Sequence, residues 1–153
     1  MLKKLMQTEE DVGMLIVRLA LGIVMFPHGA QKMLGWFGGH GFAGTLQFFT
    51  SQLGLPAAVA LLVILAEFFG AIALVSGFLG RIAAFGVLCI MLGAIFMIHL
   101  QNGFFMNWYG NQQGEGYEYH LLAIGMALAI LVKGSGSLSI DRSMSDKERR
   151  IYR

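Results

Sequence analysis

Charged residues are scarce in this chain. Asp, Glu, Lys and Arg together make up 13% of its 153 residues, and hydrophobic residues make up 56%. Soluble domains carry roughly 25% charged residues. The shortage excludes an ordinary soluble domain and predicts a single domain that contacts the lipid membrane. The 21 glycines fit this interpretation, because small residues allow helices to pack closely in lipid.

Cysteine is also nearly missing. The one cysteine, Cys89, excludes an internal disulfide and any zinc site built from paired thiolates, and we expect it to be a small buried side chain. The sequence contains neither a phosphate-binding glycine loop nor an HExxH helix. Its short basic tail has too few aromatic residues to predict nucleic-acid binding, so no nucleic-acid partner is expected.

Long apolar runs are what the chain has instead. Four of them cover about 12–34, 56–79, 82–100 and 117–132, the last being the shortest. A membrane-spanning helix needs ~20 residues, and backbone groups in lipid must be satisfied within the segment. We therefore predict an all-α fold, a four-transmembrane-helix bundle over 1–134 with a polar, solvated cytoplasmic tail over 135–153. The first run lacks a cleavage pattern and is expected to remain as an anchor.

The basic residues predict the orientation of this bundle. Lys3 and Lys4 precede the first run, and Arg81 lies in the turn between the second and third. Six more follow the fourth run: Lys133, Arg142, Lys147, Arg149, Arg150 and Arg153. Because positive residues accumulate on the cytoplasmic side, we predict a multi-pass protein of the bacterial inner (plasma) membrane with both termini cytoplasmic.

The first outer loop carries its own helical pattern. Phe42, Leu46, Phe49 and Leu53 recur at helical spacing, which predicts a short amphipathic helix on the membrane surface. The second outer loop is rich in aromatic residues, among them Trp108. Such rings favour the headgroup level, so they either anchor the loop or form a lid over the bundle.

Ionisable residues lie within these apolar runs, although lipid is an expensive environment for them. At ~100° per residue, Arg18, His28 and Lys32 share one face of the first helix. Glu67 lies near the middle of the second run and His99 at the outer end of the third, and Glu118 and His120 open the fourth. We predict that these side chains point inward and form a polar site in the outer half of the bundle.

Two ion pairs are expected, Arg18 with Glu67 at depth and Lys32 with Glu118 at the outer rim. Each residue also has a simpler interpretation. The Arg18–Glu67 pair can serve only to fix helix register, and Lys32 can extend to the headgroups. A histidine in a membrane helix often serves only to hydrogen-bond a neighbouring helix.

Three stretches of the sequence resemble the DoxX family, including its DoxD-like members. They are RLALGIVMFPHGAQKMLGWFG, AEFFGAIALVSGFLGRIAA and HLQNGFFMNWYGNQQGEGYEYHLL, and together they cover roughly 17–132. The resemblance implies a four-helix inner-membrane protein, in a family with a member linked to thiosulfate:quinone oxidoreduction. It places six residues at the family's characteristic polar positions: Arg18, His28, Lys32, Glu67, His99 and Glu118. His120 lies outside that pattern.

The leading hypothesis is a subunit or accessory of a quinone- or sulfur-compound-linked oxidoreductase. His28 or His99 would hydrogen-bond a quinone carbonyl, with Trp108 also contacting the ligand, and Lys32 would stabilise negative charge. Glu67 or Glu118 would relay protons. Electrons or sulfur would come from a partner protein.

Several alternatives remain open. His28 and His99 are candidates to hold a haem, or together with Glu67 a divalent metal. Glu67 is also a candidate coupling carboxylate in a small-solute transporter. A scaffold that recruits a partner enzyme is a further alternative, and the small-residue helix faces allow a homo-oligomer.

Overall fold

The computed structural model describes residues 5–151, with side chains described through residue 145, and this part is all-helical with no strand. Between residues 12 and 151 the α-helices are, in chain order, α1 Val12–Leu34, α2 Gly41–Ser51, α3 Ala57–Ser76, α4 Gly80–Ala94, α5 Glu118–Lys133 and α6 Ile140–Ile151. Helix α4 continues through a π-turn, Ile95–His99, and a 3₁₀ turn, Leu100–Asn102. The predicted all-α class is confirmed.

Within the described residues, three helical segments are long and apolar enough to cross a membrane, Val12–Leu34, Ala57–Ser76 and Gly80–Asn102. They coincide with the first three predicted runs. Helix α5 has 16 residues, fewer than the ~17–25 of a typical span. The fourth span and the sides of the termini therefore stay predictions. Of the basic residues behind the orientation, Lys3, Lys4 and Arg153 lie outside the described residues.

A helix does occur in the first loop, where the spacing predicted one. In α2, Phe49 is buried against Ala60 and Ile64 of α3, and Leu46 packs on the same cluster. Phe42 stays exposed. The position of α2 at a membrane surface stays a prediction.

The four longest helices form a ring in which α1 packs on α3, α3 on α4, α4 on α5 and α5 on α1. The core between them consists of small and aliphatic residues, including Leu21, Met25, Ala71, Ala84, Val87, Ala123 and Ala127. Large apolar side chains also cover the outside, among them Ile16, Leu62, Phe85, Phe96, Leu122 and Val132. An apolar exterior around a packed core suits a bundle surrounded by lipid.

Two glycines on one face of α1 bring its backbone against α3. A Cβ built on Gly29 would lie 2.6 Å from the Cα of Phe68 and 2.9 Å from the carbonyl carbon of Glu67. A Cβ on Gly22 would lie 3.0 Å from the backbone nitrogen of Val75. From Gly29 to Gly22 the contact moves seven residues back along α1, and from Phe68 to Val75 it moves seven residues forward along α3. The two helices are therefore antiparallel and in a fixed register.

This register separates Arg18 from Glu67, so the predicted pair does not form. Arg18 is fully buried at the end of α3, about two turns beyond Glu67. Its guanidinium donates to the carbonyls of Leu74 at 2.6 Å and Val75 at 2.7 Å. These belong to the last turn of α3, where carbonyls have no partner within the helix.

The segment after α5 packs into the same end of the bundle, although the sequence predicts a solvated tail from Ser135. Arg18 also donates to the carbonyls of Ser135, Ser137 and Leu138. Asp141 is 1% exposed and accepts hydrogen bonds from the backbone of Leu79 and Gly80, at 2.8 and 3.0 Å. Its carboxylate therefore caps the first turn of α4, as acidic side chains at helix N-termini do.

We expect Gly29→Ala to lower the stability of the purified protein in detergent by about 1–3 kcal/mol, the usual cost of overpacking. The added methyl would meet backbone atoms of α3, which cannot move aside independently. Thermal unfolding followed by circular dichroism measures the effect.

Gly125→Ala is the matched control, because a Cβ on Gly125 in α5 has no neighbour within 4 Å. Alanine also favours helix over glycine, so this variant should unfold at or above the wild-type temperature. Equal destabilisation by the two substitutions would contradict the proposed register of α1 and α3.

Candidate functional site

One cavity of about 500 Å³ lies between α1, α3, α4 and α5, at the end of the bundle where the predicted outer loops lie. Its walls are mostly apolar. The Lys, His and acidic side chains that line it are His28, Lys32, Glu67, His99, Glu115 and His120. The structure therefore brings five of the ionisable residues predicted for the polar site around one space: His28, Lys32, Glu67, His99 and His120.

Lys32 and Glu67 form the ion pair of this cavity. Lys32 Nζ lies 2.9 Å from Glu67 Oε1 and also donates to the carbonyl of His28 at 3.3 Å. The Glu67 side chain is 4% exposed and that of Lys32 is 26% exposed. The pair forms because Gly29 holds α1 against α3 at Glu67. It replaces both predicted pairs, Arg18–Glu67 and Lys32–Glu118.

The second carboxylate oxygen of Glu67 takes no part in this ion pair. Glu67 Oε2 is buried and has no hydrogen-bond partner among the described residues. A carboxylate in an ion pair can only accept hydrogen bonds. A buried acceptor without a donor costs about 1–3 kcal/mol, and more when it is charged. The site thus holds one buried oxygen that a ligand's hydrogen-bond donor would satisfy.

His99 has a defined proton position. Its Nδ1 lies 2.8 Å from the carbonyl oxygen of Glu115, which also accepts from Asn102 at 3.0 Å. Because a carbonyl only accepts, Nδ1 of His99 must carry the hydrogen, and in the neutral ring Nε2 is then an acceptor. His99 ends the π-turn of α4, and such turns frequently occur at functional sites.

His120 and Tyr119 complete the polar wall. The ring centroid of His120 lies 4.2 Å from that of His99 and 5.4 Å from that of Tyr119, and Tyr119 lies 6.0 Å from His28. His120 is 6% exposed, and its buried Nδ1 has no hydrogen-bond partner in the part of the chain that the structure describes. The sequence placed His120 among the polar residues of the outer half without a chemical role, and it grouped Tyr119 with the loop aromatics that are typical of membrane anchoring.

Glu118 and Trp108, both predicted for the site, lie outside the cavity lining. Glu118 Oε1 accepts from the backbone of Met106 at 3.0 Å and from Trp108 Nε1 at 2.9 Å. The Trp108 ring is 79% exposed. Glu118 and His120 are about 200° apart around α5, so only one of them can face the cavity. Glu118 instead fixes the loop that contributes Met106 and Glu115 to the lining.

Cys89 differs from the expected buried thiol. It is exposed and lines the cavity from α4. As the one cysteine of the chain, it is a site-specific chemical handle on this cavity.

A divalent metal site is not assembled in the described part of the chain. No group of three or more His, Cys, Asp or Glu there has the geometry to hold a metal ion. The predicted set of His28, His99 and Glu67 is therefore not brought together as a metal site. The haem alternative stays a prediction.

A helical bundle with an apolar exterior and a cavity lined by ionisable residues defines a helical membrane protein with an internal polar site. Residues 13–100, more than half of the chain, match the family model described as DoxX. The chain therefore belongs to the DoxX family, as the resemblance predicted.

Two relatives extend this finding. The chain is 31% identical over 142 residues to "Inner membrane protein YqjF" of Escherichia coli (strain K12), a match that covers 93% of this chain and 99% of the relative. It is 31% identical over 131 residues to "Putative oxidoreductase CatD" of Bacillus subtilis (strain 168), with 86% of each chain covered. No solved structure matches. The predicted multi-pass inner-membrane location is confirmed.

We expect Lys32→Met to destabilise the protein more than Glu67→Gln. The first leaves a carboxylate that is almost fully buried without its cation, whereas the second leaves an ammonium that remains partly exposed. Breaking a buried pair by removing one partner costs about 3–5 kcal/mol, and the partial exposure of Lys32 reduces that figure for Glu67→Gln. Thermal unfolding in detergent measures both.

The double variant Lys32→Met/Glu67→Gln should recover part of the loss, because it leaves no unpaired charge. A matched cycle of Glu67→Gln with Arg18→Lys should be additive, since Arg18 contacts the end of α3 and not Glu67. Coupling in the Arg18 cycle and additivity in the Lys32 cycle would refute the pairing described above.

Proposed function

We propose that this chain is a membrane subunit of a quinone-linked redox system, and that the cavity binds the quinone headgroup. One observation carries the proposal: Lys32, Glu67, His99 and His120 face a single cavity whose walls are mostly apolar. Small-molecule sites typically enclose about 300–1,000 Å³ and combine apolar walls with a few polar groups. The cavity's volume of about 500 Å³ falls within that range.

The walls suit a flat, apolar ring. Four methionines line the cavity, Met25, Met91, Met97 and Met106. Their flexible thioethers adapt to irregular shapes and make favourable contacts with aromatic edges. Quinones dissolve in the bilayer, so a site within the bundle lies beside their pool. We place this site in the outer half of a four-span bundle, with both termini cytoplasmic and α2 on the outer membrane surface.

The polar groups suit proton exchange with ring oxygens. Reducing a quinone to a quinol takes up two electrons and two protons. In this proposal, the imidazoles of His99 and His120 exchange those protons with the ring oxygens. The Lys32–Glu67 pair compensates charge that develops on the ring. Electrons come from a redox partner protein, in keeping with the relative that is named as an oxidoreductase.

The transporter alternative fits these contacts less well. A coupling carboxylate must gain and lose a proton during each cycle, whereas Glu67 is held in an ion pair with Lys32. A scaffold role would leave the cavity unused, and the following experiment separates it from ligand binding.

We expect duroquinone to slow the labelling of Cys89 by a maleimide at least severalfold, because both reagents would occupy the same cavity. Duroquinone carries a methyl group at each ring carbon that is not a carbonyl, so the Cys89 thiol does not find an unsubstituted position to attack. The protein is labelled in lipid nanodiscs, and the labelled fraction is followed over time by mass spectrometry.

The matched control is the double variant Cys89→Ser/Val132→Cys. Val132 is 75% exposed and does not line the cavity, so its replacement thiol should react at the same rate with and without duroquinone. If Cys89 is not protected at saturating duroquinone, or if both thiols are protected equally, the quinone site is refuted and the scaffold role is favoured.

A further inference from the structure

Quinone and quinol headgroups have nearly the same shape but opposite hydrogen-bonding roles. The two carbonyl oxygens of a quinone can only accept hydrogen bonds, whereas the two hydroxyl groups of a quinol can donate them. A site that is filled equally well by either ring therefore selects between them through the free donors and acceptors in its wall.

The strongest free group in the wall is an acceptor. Glu67 Oε2 is buried in a side chain that is 4% exposed, and it has no partner among the described residues. A quinone carbonyl placed beside it would leave it unpaired and would add repulsion between two oxygen dipoles. A quinol hydroxyl would donate to it, in a bond strengthened by the carboxylate charge.

The second group with a defined role is also an acceptor. Because His99 gives its Nδ1 hydrogen to the Glu115 carbonyl, its Nε2 offers a lone pair in the neutral ring. The other two histidines of the lining, His28 and His120, do not discriminate, since a neutral imidazole offers one donor and one acceptor.

The donors of the site are largely committed within the protein. Two of the three N–H bonds of Lys32 are directed at Glu67 Oε1 and the carbonyl of His28. The Tyr119 hydroxyl lies 3.6 Å from Met25 Sδ, to which it donates. Glu67 Oε2 and His99 Nε2 are thus acceptors without a partner in the described part of the chain, while most of the defined donors are satisfied.

We propose that the cavity selects the reduced, hydroxyl-bearing form of its ligand, a quinol that donates to Glu67 Oε2 and His99 Nε2. This inference rests on the proposed quinone site and adds the redox form that the site prefers. The selection concerns binding alone, and no covalent bond is formed or broken.

The test compares three ligands on the wild-type protein in nanodiscs under argon, with binding to empty nanodiscs subtracted. They are duroquinone, its quinol and the dimethyl ether of that quinol, which keeps the ring but has no hydroxyl hydrogen. A hydrogen bond to a charged group corresponds to about tenfold or more in affinity. We expect the quinol to bind at least about tenfold more tightly than either of the others.

Variants then assign the preference to a residue. Glu67→Gln replaces one acceptor by an amide that also donates, so the ratio of quinol to quinone affinity should fall toward one. Glu118→Gln is the control, because Glu118 lies outside the cavity lining and its amide still accepts from Trp108. Its ratio should match the wild type.

The outcomes separate the two proposals. If the three ligands bind with equal affinity, or the quinone binds more tightly than the quinol, the selection of the reduced form is overturned while the site stands. If none of them binds or protects Cys89, the quinone site itself fails. Because the ether comparison uses the unaltered protein, the result does not depend on whether the Glu67 variant folds.

Discussion

The contact between Gly29 and the backbone of Glu67 and Phe68 determines how the charged residues of this protein are used. It sets α1 and α3 in an antiparallel register in which Lys32 meets Glu67 beside the cavity. The same register brings Arg18, on the same face of α1, to the last turn of α3. One backbone contact thus assigns two cations of a single helix to opposite ends of the bundle and to different tasks.

The two ends differ in how completely their buried charges are satisfied. At one end, Arg18 donates to five carbonyl oxygens and Asp141 accepts from two amides and the Ser135 hydroxyl. A guanidinium suits this task because it presents a fixed fork of donors. At the cavity, Glu67 Oε2 and His120 Nδ1 are buried without a hydrogen-bond partner among the described residues. At the Arg18 end, Ser137 Oγ also lacks a partner in that part of the chain, but it is a neutral hydroxyl. The complete hydrogen bonding of Arg18 and Asp141 indicates a structural role. Glu67 Oε2, the charged group without a partner among the described residues, points to a ligand.

The sequence predicted the helices well because apolar length dictates them, and α1 matches its predicted run, 12–34. It also predicted that His28, Lys32, Glu67 and His99 face inward, since lipid is costly for such groups. The sequence could not predict which cation forms an ion pair with Glu67. Whether Arg18 or Lys32 contacts it depends on a helix register that is set by backbone contact. The choice between Glu118 and His120 depends on the rotation of α5, and the cap formed by Asp141 depends on the path of the segment after α5.

Selection of a quinol would have a consequence for electron flow. By linkage, a site that binds the reduced form more tightly than the oxidised form stabilises the product of reduction and raises the potential of the bound couple. For a two-electron couple, each tenfold preference corresponds to about 30 mV. A ring held by Glu67 Oε2 would then be easier to reduce in the cavity than in the bilayer. The unsatisfied carboxylate oxygen, costly in the empty bundle, would direct electrons from a partner toward the cavity and hold the product there.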